Sequence, residues 1–183
     1  LCRSSAASDV YKRQVYNKDG LNIPELFKHI AKNPSVKGFQ GGEDYEGEIL
    51  EIECDVLIPA AVGGVITSSN AGKIKTNVLI EGANSPTTLN ADKILRENGV
   101  MIIPDILANA GGITASYFEW VQNTQNYLWK ETELHEKLID VMLTSFEEVW
   151  TISQKQNCDL RTAALIKGIK RVAAAKLTRG LFP

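Results

Sequence analysis

The 183-residue sequence has no long hydrophobic run and no excess of charge of either sign, and each shortage argues against a class of protein. No apolar segment approaches the roughly 20 residues that a membrane-spanning helix needs, which argues against a membrane as partner. The net charge is −2 and no cluster of lysine and arginine stands out. This charge balance argues against nucleic acid or an anionic membrane surface as the main partner.

Cysteine and histidine are also scarce. The three cysteines are widely spaced and odd in number, which fits neither a disulfide framework nor a zinc site. The two histidines, His29 and His135, lie in polar helical stretches without companions at ligand spacing, so we expect no metal site. A reducing compartment follows from the cysteine usage, and we expect a cytoplasmic protein, with the mitochondrial matrix as the alternative.

The sequence does contain the alternation of short apolar runs and helical patterns that is typical of α/β proteins. Its content of 44% hydrophobic and 23% charged residues fits a folded chain with a full core. Three apolar runs, Val56–Ile58, Val78–Ile80 and Met101–Ile103, predict buried strands, and the repeat of strand, turn and helix predicts a parallel sheet. Thr88 is a candidate N-cap for a helix over Leu89–Asn98, which Gly99 would end.

Helices account for most of the remaining predictions. A short helix is expected over Ile23–Ala31, one helical turn within Glu48–Glu53 and a short helix over Thr67–Lys73. Val15–Gly20 and Gly38–Gly47 are expected to be turn and loop. A long C-terminal helix has a 3.6-residue apolar period, and a last helix begins after the candidate N-cap Asp159. The expected buried positions of the two helices are Leu134, Leu138, Val141, Met142, Phe146, Val149 and Ile152, then Ala163, Ile166, Ile169 and Ala173.

The segment Met101–Trp120 is the most informative stretch. After the strand, Pro104 and Asp105 end the apolar run, and residues Asn109–Gly112 predict a turn of small residues. A helix follows with an apolar stripe formed by Ile113, Tyr117, Trp120 and Val121. Ligands of α/β sheets bind beyond the carboxyl ends of the strands, and glycines such as Gly111 let a ligand approach the backbone. The alternative is an ordinary strand-to-helix turn, in which Asp105 caps the loop.

Two further strand ends carry small or amide residues. Pro59-Ala60-Ala61 and then Gly63-Gly64 follow the first strand, where a flat ring or ribose could lie against the backbone, or where a tight connection needs no ligand. Asn84 follows the second strand and offers both a donor and an acceptor, although its side chain could equally cap the next turn. Together, the three strand ends predict a site for a polar, largely neutral group.

Five ordered blocks of this sequence resemble the glutamate dehydrogenase group within the wider Glu/Leu/Phe/Val dehydrogenases. The resemblance runs from about Val15 to about Arg179 and implies a partial Rossmann-like parallel sheet, the C-terminal part of an NAD(P)-binding domain, followed by C-terminal helices. It divides the chain into residues 15–127, a truncated dinucleotide-binding domain, and residues 128–183, helices that pack toward a substrate domain. The blocks are YEGEIL (Tyr45–Leu50), CDVLIPAA (Cys54–Ala61), EGANSPTT (Glu81–Thr88), MIIPDILANAGGITASYFEW (Met101–Trp120) and DLRTAAL (Asp159–Leu165).

The resemblance also implies roles for individual residues. Those that correspond to cofactor-binding positions are Ala60, Ala61, Asn84, Asn109 and Gly111. Asn109 would lie between nicotinamide and substrate, and Ile113 would pack beside a glutamate whose side-chain carboxylate is held by Ser116. Family members that act on apolar amino acids carry an apolar residue at the serine position, so Ser116 favours glutamate. The alternative is a helical serine bonded to its own preceding turn. Glycine is usual in the family where Ser85 stands, which suggests an altered turn after Asn84.

The implied reaction is oxidative deamination of L-glutamate to 2-oxoglutarate and ammonia with NAD or NADP. In the family, a lysine and an aspartate of an N-terminal substrate domain do the acid–base work, so we expect no catalytic residue in this sequence. A GxGxxG loop and the residue that reads the ribose 2′ position are also missing from it. The alternatives are a leucine, phenylalanine or valine dehydrogenase and, for these 183 residues alone, a non-catalytic nucleotide-binding or assembly module. The complete family members are usually homohexamers.

Residues 1–14 do not match the pattern of the family. LCRSSAASDVYKRQ has no clear strand or helix period and lacks the apolar core of a secretory signal. The resemblance would place a strand, a glycine-rich turn, a helix and a second strand there. We therefore interpret the segment as an artefact of cloning or sequence assembly joined to a truncated reading frame, and expect mass spectrometry of the native protein to show a different N-terminus.

Overall fold

The computed structural model describes residues 6–8 and 14–180 of the chain, so that most of the segment interpreted as an artefact lies outside the described residues. Two three-stranded sheets and a C-terminal helical layer make up this part of the chain. The strands are β1 (Ala6–Ser8), β2 (Gln14–Tyr16), β3 (Glu43–Asp44), β4 (Cys54–Leu57), β5 (Thr76–Ile80) and β6 (Met101–Ile103). The α-helices are α1 (Ile23–Lys32), α2 (Leu89–Glu97), α3 (Asp105–Ala108), α4 (Ala110–Gln125), α5 (Glu131–Gln156) and α6 (Leu160–Arg179).

The first sheet is antiparallel, with strand order β1-β2-β3, and the sequence did not predict it. Val15 in β2 is fully buried, and Val15 pairs with Asp44 of β3. The predictions of a turn over Val15–Gly20 and a loop over Gly38–Gly47 were therefore wrong for these short strands. Strands of two or three residues are too short to show an alternating pattern. Their core is completed by a small apolar cluster: Val15, Leu21, Leu26, Val36 and Phe39.

The second sheet is parallel, as the sequence predicted, and its strand order is β4-β5-β6. Leu57, Leu79 and Ile102 occupy one register row across the three strands. This row faces α2, and Leu79 of β5 and Leu95 of α2 are both fully buried. The connection from β4 to β5 contains only a 3₁₀ turn at Ala71–Lys73, shorter than the helix expected over Thr67–Lys73.

The expectation of buried strands was wrong for one face of β4 and β6. Val56 of β4 is 46% exposed and Met101 of β6 is 43% exposed, although both belong to continuous apolar runs. They share a register row with Val78 on the face away from α2. On that face the described helices pack mainly against Ile103 of β6, so that the row toward β4 stays open.

Local signals in the sequence correctly placed both ends of α2 and the start of α6. The Thr88 hydroxyl accepts a hydrogen bond from Ala91 N and caps α2, and Gly99 follows α2 with φ +82°. Asp159 caps α6 by accepting from Thr162 N at 2.9 Å. These features were predictable because capping depends only on residues within one helical turn.

The C-terminal helices pack as predicted only in part. Val149 of α5 and Ala163 of α6 are buried in a shared cluster beneath β6. The expected burial of Val141 was wrong, because this residue is exposed, and the other apolar positions predicted for α5 are only partly buried. Ile169 is 66% exposed and Ala173 is exposed, so the second half of α6 does not have the buried side that was expected. Among the described residues, no helix is long and apolar enough to cross a membrane.

The apolar stripe of α4 faces outward. Ile113, Tyr117 and Trp120 are exposed, and the buried side of the helix is formed by Phe118 and Gln122. The Phe118 ring contacts Trp129 edge-on, and Gln122 Oε1 accepts a hydrogen bond from the backbone N–H of Trp129 at 2.7 Å. A helical period shows that a helix has two faces, but the neighbouring segment decides which of them is buried.

Candidate functional site

An open cleft of about 710 Å³ lies beyond the carboxyl ends of β4 and β5 and against the start of α4. This is the place where ligands bind in parallel α/β sheets. The cleft brings together four of the predicted site residues, Ala61, Asn84, Asn109 and Ile113. The full lining consists of Ala61, Val62, Gly63, Gly82, Ala83, Asn84, Asn109 and Ile113.

The floor of the cleft depends on two close backbone approaches. A Cβ atom on Gly63 would lie 2.7 Å from the carbonyl oxygen of Asn84, and one on Gly82 would lie 2.9 Å from the Ala60 Cβ. Both distances are shorter than van der Waals contact. Glycine at these positions therefore lets the turn after β4 and the turn after β5 pack against each other. Ala61 lines the cleft, whereas the predicted site residue Ala60 is exposed and does not belong to the lining.

Two amide side chains meet at the edge of the cleft. Asn109 Nδ2 donates a hydrogen bond to Asn84 Oδ1 at 2.7 Å. The other side-chain amide atoms of the two residues have no hydrogen-bonding partner among the described residues. The pair thus presents a donor on Asn84 and an acceptor on Asn109 to a molecule in the cleft.

The segment around Gly111 is helical rather than a free turn. Asn109 is the junction between α3 and α4, and Gly111 and Gly112 lie in the first turn of α4. Apart from the neighbouring residues and the backbone of α4 itself, a Cβ atom at either glycine would meet no heavy atom of the described residues within 4 Å. The packing of this part of the chain therefore does not require glycine there, and the predicted approach of a ligand to Gly111 remains a prediction.

Ser116 lies one helical turn beyond Gly112 and is exposed. Its hydroxyl donates to the carbonyl oxygen of Gly112 at 3.2 Å, the arrangement expected for a helical serine bonded to its own preceding turn. Ile113, on the cleft, is 76% exposed. The predicted contact of Ser116 with a substrate carboxylate would require the hydroxyl to leave the Gly112 carbonyl.

Beneath the cleft lies a network of charged side chains that the sequence did not reveal. Arg161 of α6 donates from Nη2 to Glu81 Oε1 at 2.7 Å, from Nε to Asp92 Oδ2 at 2.9 Å and from Nη1 to Asp105 Oδ1 at 3.2 Å. Glu81 follows β5, Asp92 lies in α2 and Asp105 begins α3. Arg96 extends the network by contacting Asp92 and, at 3.2 Å, Asp159.

The network shifts the pKa of two of its members, Arg161 and Asp159. Burial alone would lower the pKa of the Arg161 guanidinium, but its hydrogen bonds to Glu81 and Asp92 raise that pKa above its ordinary value. Burial alone would raise the pKa of Asp159, but the hydrogen bonds from Thr162 and the charge of Arg96 lower it. Arg161 is therefore a fixed cation beside Glu81, whose side chain is fully buried.

The sequence signals for the network are one pair at i, i+4 spacing on α2 and two acidic residues that lie close after strands. Glu81 and Asp105 occupy these positions, and Arg161 lies in the DLRTAAL block. The pairs they form are 80 and 56 residues apart in the chain. A single sequence contains no information that joins residues over such separations, whereas an i, i+4 pair such as Asp92 and Arg96 is readable from helical spacing.

No group of three or more histidine, cysteine or acidic side chains suited to a metal ion occurs in residues 14–180.

A sequence model of the Glutamate/Leucine/Phenylalanine/Valine dehydrogenase family matches residues 4–180. The chain therefore belongs to this family of amino-acid dehydrogenases.

Among individual proteins, the chain is similar to glutamate dehydrogenases. The chain is 43% identical over 170 residues to glutamate dehydrogenase of Thermotoga maritima and 46% identical over 166 residues to the catabolic NAD-specific glutamate dehydrogenase of Bacillus subtilis. These matches cover 92% and 91% of the chain but only 41% and 39% of the relatives. A hetero-hexameric glutamate dehydrogenase of Thermus thermophilus, solved in a leucine-bound form, is 26% identical with a TM-score of 0.84, over 93% of this chain and 40% of that one.

Proposed function

We propose that this chain forms the nicotinamide side of the active site of an NAD- or NADP-dependent glutamate dehydrogenase. The reaction is the oxidative deamination of L-glutamate to 2-oxoglutarate and ammonia. The observation that carries the proposal is the Asn84–Asn109 pair at the edge of a cleft beyond the carboxyl ends of a parallel sheet. The names of the relatives from Thermotoga maritima and Bacillus subtilis support glutamate as the substrate.

The cleft suits a flat and largely uncharged group. None of its lining residues is ionisable, and the glycines at its floor expose backbone rather than side chains. A nicotinamide ring and its ribose could lie on Ala61 and Gly82 and hydrogen-bond to the amides of Asn84 and Asn109. The cofactor supplies the hydride acceptor, and these residues bind and orient it.

The substrate side of the proposal rests on Ser116. A hydroxyl can hydrogen-bond the side-chain carboxylate of glutamate, whereas an apolar substrate would leave it bonded to Gly112 O. The second candidate, a dehydrogenase for leucine, phenylalanine or valine, is supported by the exposed Ile113 and by the Gly112 bond that already occupies Ser116. Substrate profiling of the complete enzyme separates the two.

The chain spans about two fifths of the length of its relatives, so the remaining machinery lies in the other part of such a protein. We propose that the acid–base residues and the pyrophosphate-binding loop belong there. Residues 15–127 would belong to the dinucleotide-binding domain and residues 128–183 to helices that pack toward a substrate domain, with the boundary between α4 and α5. The complete protein would act on small molecules in the cytoplasm as a homohexamer, without nucleic acid or membrane as partner.

The proposal is tested by titrating the 183-residue chain with NADH and following its fluorescence. We expect binding, and a loss of at least about tenfold in affinity for Asn84→Ala or Asn109→Ala, because each removes a hydrogen-bonding amide from the cleft. The matched control is Asn123→Ala on the exposed side of α4, which should bind like the unchanged chain. Equal affinity in all three variants would refute the assignment of the cleft.

A second assay tests the division of labour. The 183-residue chain should produce no NADH or NADPH in a glutamate-dependent manner, since we place the acid–base residues outside it. Measurable turnover would contradict that placement. A complete lack of NADH binding would instead favour the remaining alternative, a non-catalytic assembly module.

A further inference from the structure

We propose that Arg161 is a positioning residue of the cleft, which holds Glu81 and Asp105 and thereby sets the geometry of the Asn84–Asn109 pair. The inference deepens the proposed function. Only the NADH-binding test of the inference rests on that function. The geometry behind it is independent of any ligand. Arg161 lies on α6, yet its three donor contacts reach a strand end, the first turns of α2 and the first residue of α3.

All three nitrogen atoms of the Arg161 guanidinium donate hydrogen bonds. Its Nε, Nη1 and Nη2 atoms each serve a different carboxylate, and the Glu81 side chain is fully buried while those of Asp92 and Asp105 are 6% and 13% exposed. A planar fork with fixed donor directions can hold three carboxylates at set positions. An ammonium group is a point charge on a flexible stem and would not fix the three directions at once.

From these carboxylates, two short paths lead to the amide pair. The first runs through Asp105 Oδ2, which accepts a hydrogen bond at 2.8 Å from the backbone N–H of Ser85, the residue next to Asn84. The second runs through α3: Glu81 Oε2 accepts from Asp105 N and Asp105 Oδ1 accepts from Ile106 N, both at 2.8 Å. α3 ends at Ala108, directly before Asn109. Both members of the pair are therefore adjacent to backbone that Asp105 holds.

Attachment of α6 to the sheet does not depend on Arg161 alone. Leu160, Ala163 and Ala164 bury the start of α6 in an apolar cluster, and Arg96 bonds the cap residue Asp159. If Arg161 only fastened α6, its loss would weaken the helix and leave the turn after β5 unchanged. If Arg161 positions the turn, a variant that still folds will show its change at Ser85, Asn84 and Asn109.

The experiment compares Arg161→Lys with Arg96→Lys in the 183-residue chain by NMR spectroscopy. Arg96→Lys is the matched control, because Arg96 belongs to the same network but contacts neither Glu81 nor Asp105. For Arg161→Lys we expect faster hydrogen exchange at the Ser85 amide, by at least about tenfold, and shifted side-chain amide resonances of Asn84 and Asn109. For Arg96→Lys these signals should stay unchanged, as should the core methyl resonances of Leu79 in both variants.

A second variant keeps the test decisive if Arg161→Lys fails to fold. Asp105→Asn retains the shape of the side chain but loses the carboxylate whose two oxygens accept hydrogen bonds from Arg161 and Ser85. We expect the same faster exchange at the Ser85 amide and the same shift of the Asn109 side-chain resonances. Unchanged exchange and resonances in a folded Arg161→Lys or Asp105→Asn chain would overturn the proposal and leave Arg161 as a fastening for α6.

The ligand arm uses NADH as the probe. If the unchanged chain binds NADH, Arg161→Lys should weaken binding by at least about tenfold and Arg96→Lys by less than about twofold. Equal affinity of Arg161→Lys and the unchanged chain would overturn the positioning role. If the unchanged chain does not bind NADH, the proposed function fails, and the exchange and resonance measurements still decide the role of Arg161.

Discussion

Replacement of Ser85 by glycine should stabilise the chain. Ser85 has φ +47°, in the left-handed region that favours glycine, and it follows Asn84 directly. Its backbone is bonded at both ends: the N–H donates to Asp105 Oδ2 at 2.8 Å and the carbonyl oxygen accepts from Gly64 N at 2.9 Å. The turn is thus held in a conformation that a serine adopts only at a cost.

The magnitude follows from two opposing effects. A left-handed conformation costs a residue with a Cβ about 1–2 kcal/mol relative to glycine. Glycine also gives the unfolded chain more freedom, which costs the folded state about 0.4–1 kcal/mol. Ser85→Gly should therefore raise the free energy of unfolding by about 0.8 kcal/mol, the difference between the midpoints of the two ranges, since both backbone hydrogen bonds of the turn are kept.

Urea unfolding followed by circular dichroism measures the difference. Ser68→Gly is the matched control, because Ser68 is an exposed turn residue that does not have a positive φ. It should lower the free energy of unfolding by about 0.4–1 kcal/mol, the effect of glycine on the unfolded chain alone. If Ser85→Gly destabilises the chain as much as Ser68→Gly does, the argument from strain at Ser85 is wrong.

Three further changes test the site. Gly63→Ala should destabilise the chain by about 1–3 kcal/mol, because the new Cβ atom would lie 2.7 Å from Asn84 O. Gly72→Ala is the control and should be neutral or stabilising, because its Cβ atom would meet no neighbouring atom within 4 Å. Urea unfolding measures both differences. Arg161→Met should cost about 3–5 kcal/mol by leaving three poorly solvated carboxylates, and unchanged unfolding in urea would contradict this. The folded-state pKa of Asp159 is lowered, so its charge stabilises the fold above the unfolded pKa of about 3.9. The advantage over Asp159→Asn, which keeps a good N-cap, should therefore be present at neutral pH and disappear as the pH falls through the lowered pKa; a constant difference down to low pH would contradict it.

The sequence predicted those parts of the fold that depend on neighbours within a few residues. The caps at Thr88 and Asp159 and the glycine after α2 were placed correctly, since each is a contact within one helical turn. The parallel pairing of β4, β5 and β6 was also predicted, because short apolar runs separated by crossovers fit few other topologies. The cleft residues Asn84 and Asn109 were predictable for the same reason: each lies close after a strand in the chain.

The features that the sequence did not predict depend on contacts between distant segments. The outward face of α4 is one example, because the burial of Phe118 is decided by Trp129 on the following segment rather than by the period of α4 itself. The exposure of Val56 is another, since an apolar run predicts burial without showing which layer covers it. Arg161 is the third, because its carboxylate partners are brought to it only by the folded sheet.

The turn after β5 combines a local conformational strain with a contact between distant segments of the chain. Ser85 costs about 1–2 kcal/mol in its left-handed conformation, whereas a hydrogen bond to a charged acceptor contributes about 1.5–3 kcal/mol. The bond from Ser85 N to Asp105 Oδ2 is of this kind, and Arg161 Nη1 donates to the other oxygen of the same carboxylate at 3.2 Å. The hydrogen bond therefore offsets the strain, and the turn that carries Asn84 is stable because Arg161, on the distant helix α6, holds the acceptor in place.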